Sequence, residues 1–294
     1  MPQKQAAKPA TLLDHGARIA RAMALIARDP ARAVPLEELA EAAAFSPCHF
    51  HRIYRHLAGE TPAETRNRLR LSTAAAELVR GQAPVAQVAK RAGFSGAATF
   101  TRAFAAAYGI PPAAYRARRG LGAVLRQPTL IEEAIMAEVT IRTLPALRLA
   151  VLPHRGPYTD IGSAFDRIAA WAAARGLVGP DSRFFARYFD DPGSVPDAQL
   201  RSEAGLTVPP HVTGDGEVRI VEVSALRAAV LRYQGPYAEL EGAYTTLYRD
   251  WLPTSGEEPS DEPCLEEYLN DPKELPPAEW LTDVILPLRE RVPA

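Results

Sequence analysis

The sequence predicts a multidomain chain with two halves of different class, an all-α N-terminal half and an α+β C-terminal half. Three observations carry that prediction. One helical pattern is written twice between Leu36 and Arg119. A second, unrelated pattern with strand periodicity is written twice after Ala137. The net charge of −1 hides a reversal of sign: Lys plus Arg against Asp plus Glu is 19 to 8 over residues 1–126 and 15 to 27 over residues 127–294. These shifts set the expected boundaries: a helical domain at 1–126, a linker at 127–136 and an α+β domain at 137–294. A basic half joined to an acidic half implies a polyanionic partner at one end only.

The first helical copy runs LEELAEAAAFSPCHFHRIYRHLAGETPAETR and the second VAQVAKRAGFSGAATFTRAFAAAYGIPPAAYR. Setting Phe50 on Phe100 also aligns Arg52 with Arg102, Tyr54 with Phe104, Gly59 with Gly109, Pro62 with Pro112 and Arg66 with Arg116. Each copy reads as helix, turn, helix. Leu36, Leu39 and Ala40 recur at helical spacing, as do Val85, Val88 and Ala89. The turns fall at Ala44-Phe45-Ser46 and Gly93-Phe94-Ser95, where Gly93 accepts positive φ and either serine can cap the next helix. In that next helix Phe50, Ile53, Tyr54 and Leu57 should face inward, leaving Cys48, His51, Arg52 and Arg55 outward. Its second copy turns Phe100, Ala103 and Phe104 inward, and Ala97, Ala98, Thr101 and Arg102 outward. A polar helix face of this size fits a DNA major groove. A bundle with a solvated polar face is the plainer alternative, and the duplicated turn and the basic charge weigh against it. Ahead of the first copy, residues 1–10 read as a disordered tail. A helix at about Leu12–Arg28 then ends at Asp29-Pro30.

In the second half, ALRLAVLPHRGPY from Ala146 matches ALRAAVLRYQGPY from Ala225 at an offset of 79. YFDDPGSVPDAQLRSEAGLTVP from Tyr188 matches YLNDPKELPPAEWLTDVILPL from Tyr268 at an offset of 80. Each copy reads strand, strand, Gly-Pro turn, helix, strand, loop, strand. The helices are expected at about Asp160–Arg175 and Tyr237–Trp251. Two such units would pair about a pseudo-twofold axis into one α+β domain.

Two resemblances follow from these motifs. The unequal helical copies, closed by GxPPxxYR (Gly109, Pro111, Pro112, Tyr115, Arg116), resemble the AraC/XylS-type transcriptional regulators over about Thr11–Arg119. That implies two helix-turn-helix units joined by a long helix at about Pro62–Leu78, entering successive major grooves. The repeated GPY, the DDP at Asp190–Pro192 and ExYLNDP at Glu266–Pro272 resemble the GyrI-like small-molecule-binding domains over most of Ala137–Pro287. Those occur alone or as effector domains, and bind aromatic or cationic ligands in a groove between the repeats.

The candidate DNA contacts follow. Arg52 and His51, with Cys48 beside them, match the base-reading positions of the first unit; an arginine bridging guanine O6 and N7 is worth about 1–3 kcal/mol of discrimination. Thr101 and Arg102 match those of the second, where Gly96, Ala97 and Ala98 are short and leave shape and phosphates a larger share. Arg55, Arg66, Arg116 and Arg118 are candidate phosphate contacts. In the second half Glu266 sits two residues before Tyr268 on an expected strand, so both side chains share a face. Its repeat partner is Ala186. A carboxylate in an apolar groove is costly unless paired, and a cationic ligand can pair it. Tyr158, Phe165, Tyr188, Tyr237, Tyr244 and Tyr268 are candidates to stack on that ligand.

These features imply a one-component regulator whose partners are double-stranded DNA, a small-molecule effector and RNA polymerase. The rival is an enzyme, since some GyrI-like relatives hydrolyse electrophilic compounds and Glu266 with a tyrosine could activate water. An inhibitory protein-binding module is a third reading. Cys48, His49, His51 and His56 lack zinc-ligand spacing, and no metal or cofactor is expected. The two cysteines, Cys48 and Cys264, are too remote in sequence to suggest a disulfide. No run is long enough to span a membrane and no signal core opens the chain, so a cytoplasmic address is expected.

Overall fold

The computed structural model describes residues 9–119 and 138–290. The expected linker at 127–136 and most of the N-terminal tail lie outside them. The chain forms two compact units. One holds Gly16–Pro47 and the helical half from Leu57 onward; the other joins Cys48–His56 to the C-terminal sheet.

The helical half comprises α1 (Pro9–Arg28), α2 (Leu36–Ala43), α3 (Pro47–Ala58), α4 (Pro62–Arg80), α5 (Val85–Arg91), α6 (Ala97–Tyr108) and α7 (Pro112–Ala117). The long central helix α4 starts where Thr61 and Glu64 form a capping box: the Thr61 hydroxyl accepts the Glu64 N–H, and the Glu64 carboxylate accepts the Thr61 N–H. The second helix-turn-helix has its own core. Leu71, Ala74, Ala75 and Leu78 of α4 pack on Val88 and Ala89 of α5 and on Phe100, Phe104 and Tyr108 of α6. Helix α6 begins at Ala97 with Gly96 as its cap, one residue later than a Ser95 cap requires.

The two turns solve one backbone problem differently. Gly93 sits at φ +75° in the second; Ala44 takes φ +55° in the first. A Cβ on Gly93 would come within 2.8 Å of the Ala31 carbonyl oxygen, so glycine is required there twice over, by conformation and by space.

Arginines clasp both turns in the same way. Arg18 of α1 donates to the carbonyls of Ala43 and Ala44 and lies 3.6 Å over the Phe45 ring. Arg70 of α4 donates to Ala92 O at 2.7 Å and lies 3.8 Å over Phe94. A second pair ties down chain that leaves a helix. Arg66 donates to Pro30 O at 3.0 Å and Ala31 O at 2.8 Å; Arg116 donates to Leu78 O at 3.4 Å and Ala83 O at 2.6 Å. Arg66 and Arg116, expected at phosphates, thus also have a structural use: their guanidiniums bind backbone carbonyls at helix ends.

The C-terminal half is one eight-stranded antiparallel sheet of β1 (Val139–Leu144), β2 (Leu147–Arg155), β3 (Phe184–Tyr188), β4 (Arg201–Thr207), β5 (Arg219–Val223), β6 (Leu226–Gln234), β7 (Cys264–Tyr268) and β8 (Leu281–Leu288). The order is β1-β6-β8-β7-β3-β4-β2-β5. Exchanging the strands of the two sequence copies merely reverses it. Each copy's first strand lies at the far edge of the other copy's strands: β1 pairs β6, and β5 pairs β2. In the middle β3 pairs β7 antiparallel, with Ala186 opposite Glu266. Helix α8 (Gly162–Ala173) covers β2 and β4 through Ala164, Ile168 and Ala172. Its counterpart packs on β6 and runs as α9 (Leu240–Thr245), a π-helical stretch (Thr246–Trp251) and α10 (Leu252–Ser255). A π turn holds one residue more than an α turn, and the offset between the copies rises by one across this segment. Among the described residues no helix is long and apolar enough to cross a membrane.

The arginine clasps carry a prediction. Arg66→Ala and Arg116→Ala should each cost about 1–3 kcal/mol in denaturant unfolding, because a charged donor leaves carbonyls unsatisfied. The salt slope of DNA binding should stay unchanged; a slope lower by about one for either variant would return that arginine to the phosphates.

Candidate functional site

Between α8 and α9 the floor is the central strand pair β3/β7, and Glu266 lies on its middle line. Glu266 is 3 % exposed. Both oxygens accept tyrosine hydroxyls, Oε1 from Tyr244 and Oε2 from Tyr268, each at 2.8 Å. Burial raises the Glu266 pKa, and the Tyr268 and Tyr244 hydroxyls and the charge of Arg52 partly offset it. Burial likewise drives the hydroxyls of Tyr188, Tyr244 and Tyr268 well above the usual phenol range, and the nearby Glu266 charge adds to it.

The seven residues named from the sequence form one connected network. The Tyr188 and Tyr268 hydroxyls are 3.0 Å apart. The Tyr268 ring meets Phe165 and Tyr237 edge-on, with centroids 5.2 Å away in each case. Tyr158 meets Tyr188 at 4.6 Å, and its hydroxyl donates to the Asp190 carbonyl at 2.9 Å. Sequence reasoning missed Trp280, whose ring lies 4.4 Å from Tyr237. It also missed Glu241, Tyr248 and Asp191. Tyr248 was within reach, one helical turn beyond Tyr244.

Helix α3 belongs to this site. The outward, solvent-facing placement expected for its polar residues does not hold: His51, Arg52 and Arg55 are buried and Cys48 is half-buried. The guanidinium of Arg52 lies 3.8 Å from the Tyr244 ring centroid and 5.9 Å from that of Tyr248. Its Nη1 is 3.6 Å from Glu241 Oε2. Burial opposes the Arg52 charge, but the carboxylates of Glu241 and Asp191 more than offset it and hold the group protonated. Arg55 pairs with Glu241 and, at 3.7 Å, with Asp191. Burial alone would raise the Asp191 pKa; Arg52, Arg55 and the Ser194 hydroxyl bring it below the usual value. The His49 ring bonds the Tyr248 hydroxyl through Nδ1 at 2.6 Å and the Glu262 carbonyl through Nε2 at 2.9 Å. The Tyr248 hydroxyl also lies 3.1 Å from Cys264 Sγ, a thiol that burial pushes up to about 12. Neither Cys48 nor Cys264 is in a disulfide.

The corresponding helix of the second copy behaves as expected. Gly96, Ala97, Ala98 and Arg102 of the α6 face are exposed, and Thr101 is partly so. Arg118, the remaining phosphate candidate, is exposed as well.

The comparisons fit this geometry. Residues 137–289 match the model of the GyrI-like small molecule binding domain, and residues 39–118 match a helix-turn-helix domain. The first match spans more than half of the chain, which belongs to the GyrI-like family. A DNA gyrase inhibitor from Edwardsiella ictaluri is 31 % identical over 52 % of this chain and 99 % of its own length. The probable transcriptional regulator YgiV of Escherichia coli is 28 % identical over 51 % of this chain and 96 % of its own. The HTH-type transcriptional regulator Rv1931c of Mycobacterium tuberculosis is 39 % identical over 27 % of this chain and 30 % of its own length.

His49 makes stability depend on pH. Burial, aided by the Arg52 charge and opposed by the Glu262 carbonyl, lowers its pKa to about 4 from an ordinary 6.5. A folded-state pKa below the unfolded one means stability is full above pH 6.5 and falls as acid protonates the unfolded chain first, levelling off near pH 4. Urea unfolding across that window should show a loss on the order of 3 kcal/mol that His49→Gln lacks. Parallel pH curves for the two proteins would remove His49 as the cause.

Proposed function

We propose that this protein is a one-component, DNA-binding transcription regulator whose C-terminal domain senses a small cationic, aromatic ligand at Glu266. The observation that carries the ligand class is the lone buried carboxylate on the middle line of the sheet, ringed by Tyr158, Phe165, Tyr188, Tyr237, Tyr244 and Tyr268. A delocalised cation stacked on such rings gains about 2 kcal/mol or more per desolvated face. It also favours the ionised form of a carboxylate whose pKa burial raises. The regulator-type names of YgiV and Rv1931c support the DNA-binding assignment.

DNA recognition is assigned to both helix-turn-helix units. On α6 the readers are Thr101 and Arg102, with Gly96 and Ala97 allowing close approach. On α3 they are Cys48, His51, Arg52 and Arg55, once that helix is free. RNA polymerase is the natural further partner of such a regulator. The hydrolase reading draws less support: the Tyr244 and Tyr268 hydroxyls already take up part of the acceptor capacity of Glu266.

Two measurements on the purified chain test this reading. Glu266→Gln should weaken calorimetric binding of benzamidine, an aromatic amidinium, by about 10-fold or more; equal affinity would move the ligand elsewhere. Arg102→Ala should weaken binding to an enriched DNA duplex by about 1–3 kcal/mol and relax preference at one base pair. An unaltered gel-shift affinity and footprint would take Arg102 off the DNA.

A further inference from the structure

We infer that Arg52 of α3 is an internal ligand of the Glu266 site: its guanidinium occupies the place of the effector cation, so effector and helix α3 compete. This rests on the reading of the site as a cation sensor and adds how occupancy is coupled to DNA.

The manner in which Arg52 is held sets it apart. Structural arginines elsewhere in the same unit make two-pronged pairs with carboxylates. Arg183 grips Glu267 at 2.7 and 2.9 Å, and Arg232 grips Asp283 at 2.7 and 2.8 Å. Arg52 makes no such fork. Its Nη1 is buried without a hydrogen-bond partner among the described residues, 3.6 Å from Glu241. Aromatic faces and the field of nearby carboxylates hold it instead, which is how a protein binds a delocalised cation it must also release.

The local charge gives the exchange its direction. Asp191 and Glu241 face Arg55, Glu241 also faces Arg52, and the charge of Arg52 reaches Asp191 and Glu266. Withdrawing Arg52 leaves three carboxylates against one guanidinium, and a buried carboxylate without its counter-charge is costly. An incoming cation removes that cost, so it both fills the site and permits α3 to leave. The aligned arginine of the other copy, Arg102 on α6, is exposed, while Arg52 is 4 % exposed. One side chain cannot contact a base and Tyr244 together. Linkage then requires the cation to strengthen DNA binding, and DNA to strengthen cation binding by the same factor.

The test uses the full chain, benzamidine and an enriched DNA duplex. Removing an internal competitor raises apparent affinity by the inverse of the free fraction. Arg52→Ala should therefore bind benzamidine about 10-fold or more tightly than the parent, and adding Glu266→Gln should abolish that gain. Equal benzamidine affinity in the parent and Arg52→Ala, with Glu266 still required, overturns the competition and leaves the sensor reading standing. A gain that survives Glu266→Gln, or no binding even in Arg52→Ala, overturns both. Because Arg52→Ala also removes a DNA contact, Glu241→Gln supplies the second arm. It loosens Arg52 and keeps it, so it should tighten DNA binding about 10-fold without benzamidine and shrink the benzamidine effect. Benzamidine that weakens the parent's DNA binding, or leaves it unchanged, refutes the proposal.

Discussion

Glu266 keeps a carboxylate where water cannot reach it, and the C-terminal unit is arranged around that fact. An ionised carboxylate in apolar surroundings costs several kcal/mol unless its oxygens are matched. Two tyrosine hydroxyls match them, a third tyrosine supports one of those, and ring faces close the perimeter. The hydroxyls satisfy the oxygens without cancelling the charge. The negative potential that remains is felt by the Arg52 guanidinium over the Tyr244 ring.

The backbone around this charge is symmetric and the charge is not. Ala186 and Glu266 are repeat partners that face each other across β3 and β7. Any residue at that pair lies on the line relating the copies, so one substitution there changes the centre of the site and leaves both flanks alike. The second asymmetry is the π-helical stretch Thr246–Trp251, which has no counterpart in α8. It carries Tyr248, the residue that bonds His49.

Much of this was legible in the sequence because it depends on local pattern. Period-2 and period-3.6 alternation marked the elements, and the two repeats located Glu266, its strand neighbour Tyr268 and the surrounding rings. The residues that escaped notice act through long-range pairing. Glu241 reads as an ordinary surface acid and Asp191 only as part of a motif until helix α3 is brought to them, and nothing in residues 47–58 says that their polar face will be covered. The backbone role of Arg66 and Arg116 was hidden for a related reason. A guanidinium suits a phosphate and an orphan carbonyl equally well, and only the fold decides which is present.

The exchange of edge strands reaches beyond the finished structure into its synthesis. Strand β1 pairs with β6, whose residues emerge from the ribosome some ninety positions later, with Thr140 opposite Val230. Strand β2 has no outer neighbour until β5 follows. The first copy therefore leaves the ribosome with an unpaired outer edge on β2 and a stranded β1, the condition that invites pairing with other chains. Neither copy can close its sheet alone. The two halves of the sheet complete each other's edges, with the slow, long-range pairing that such topology imposes.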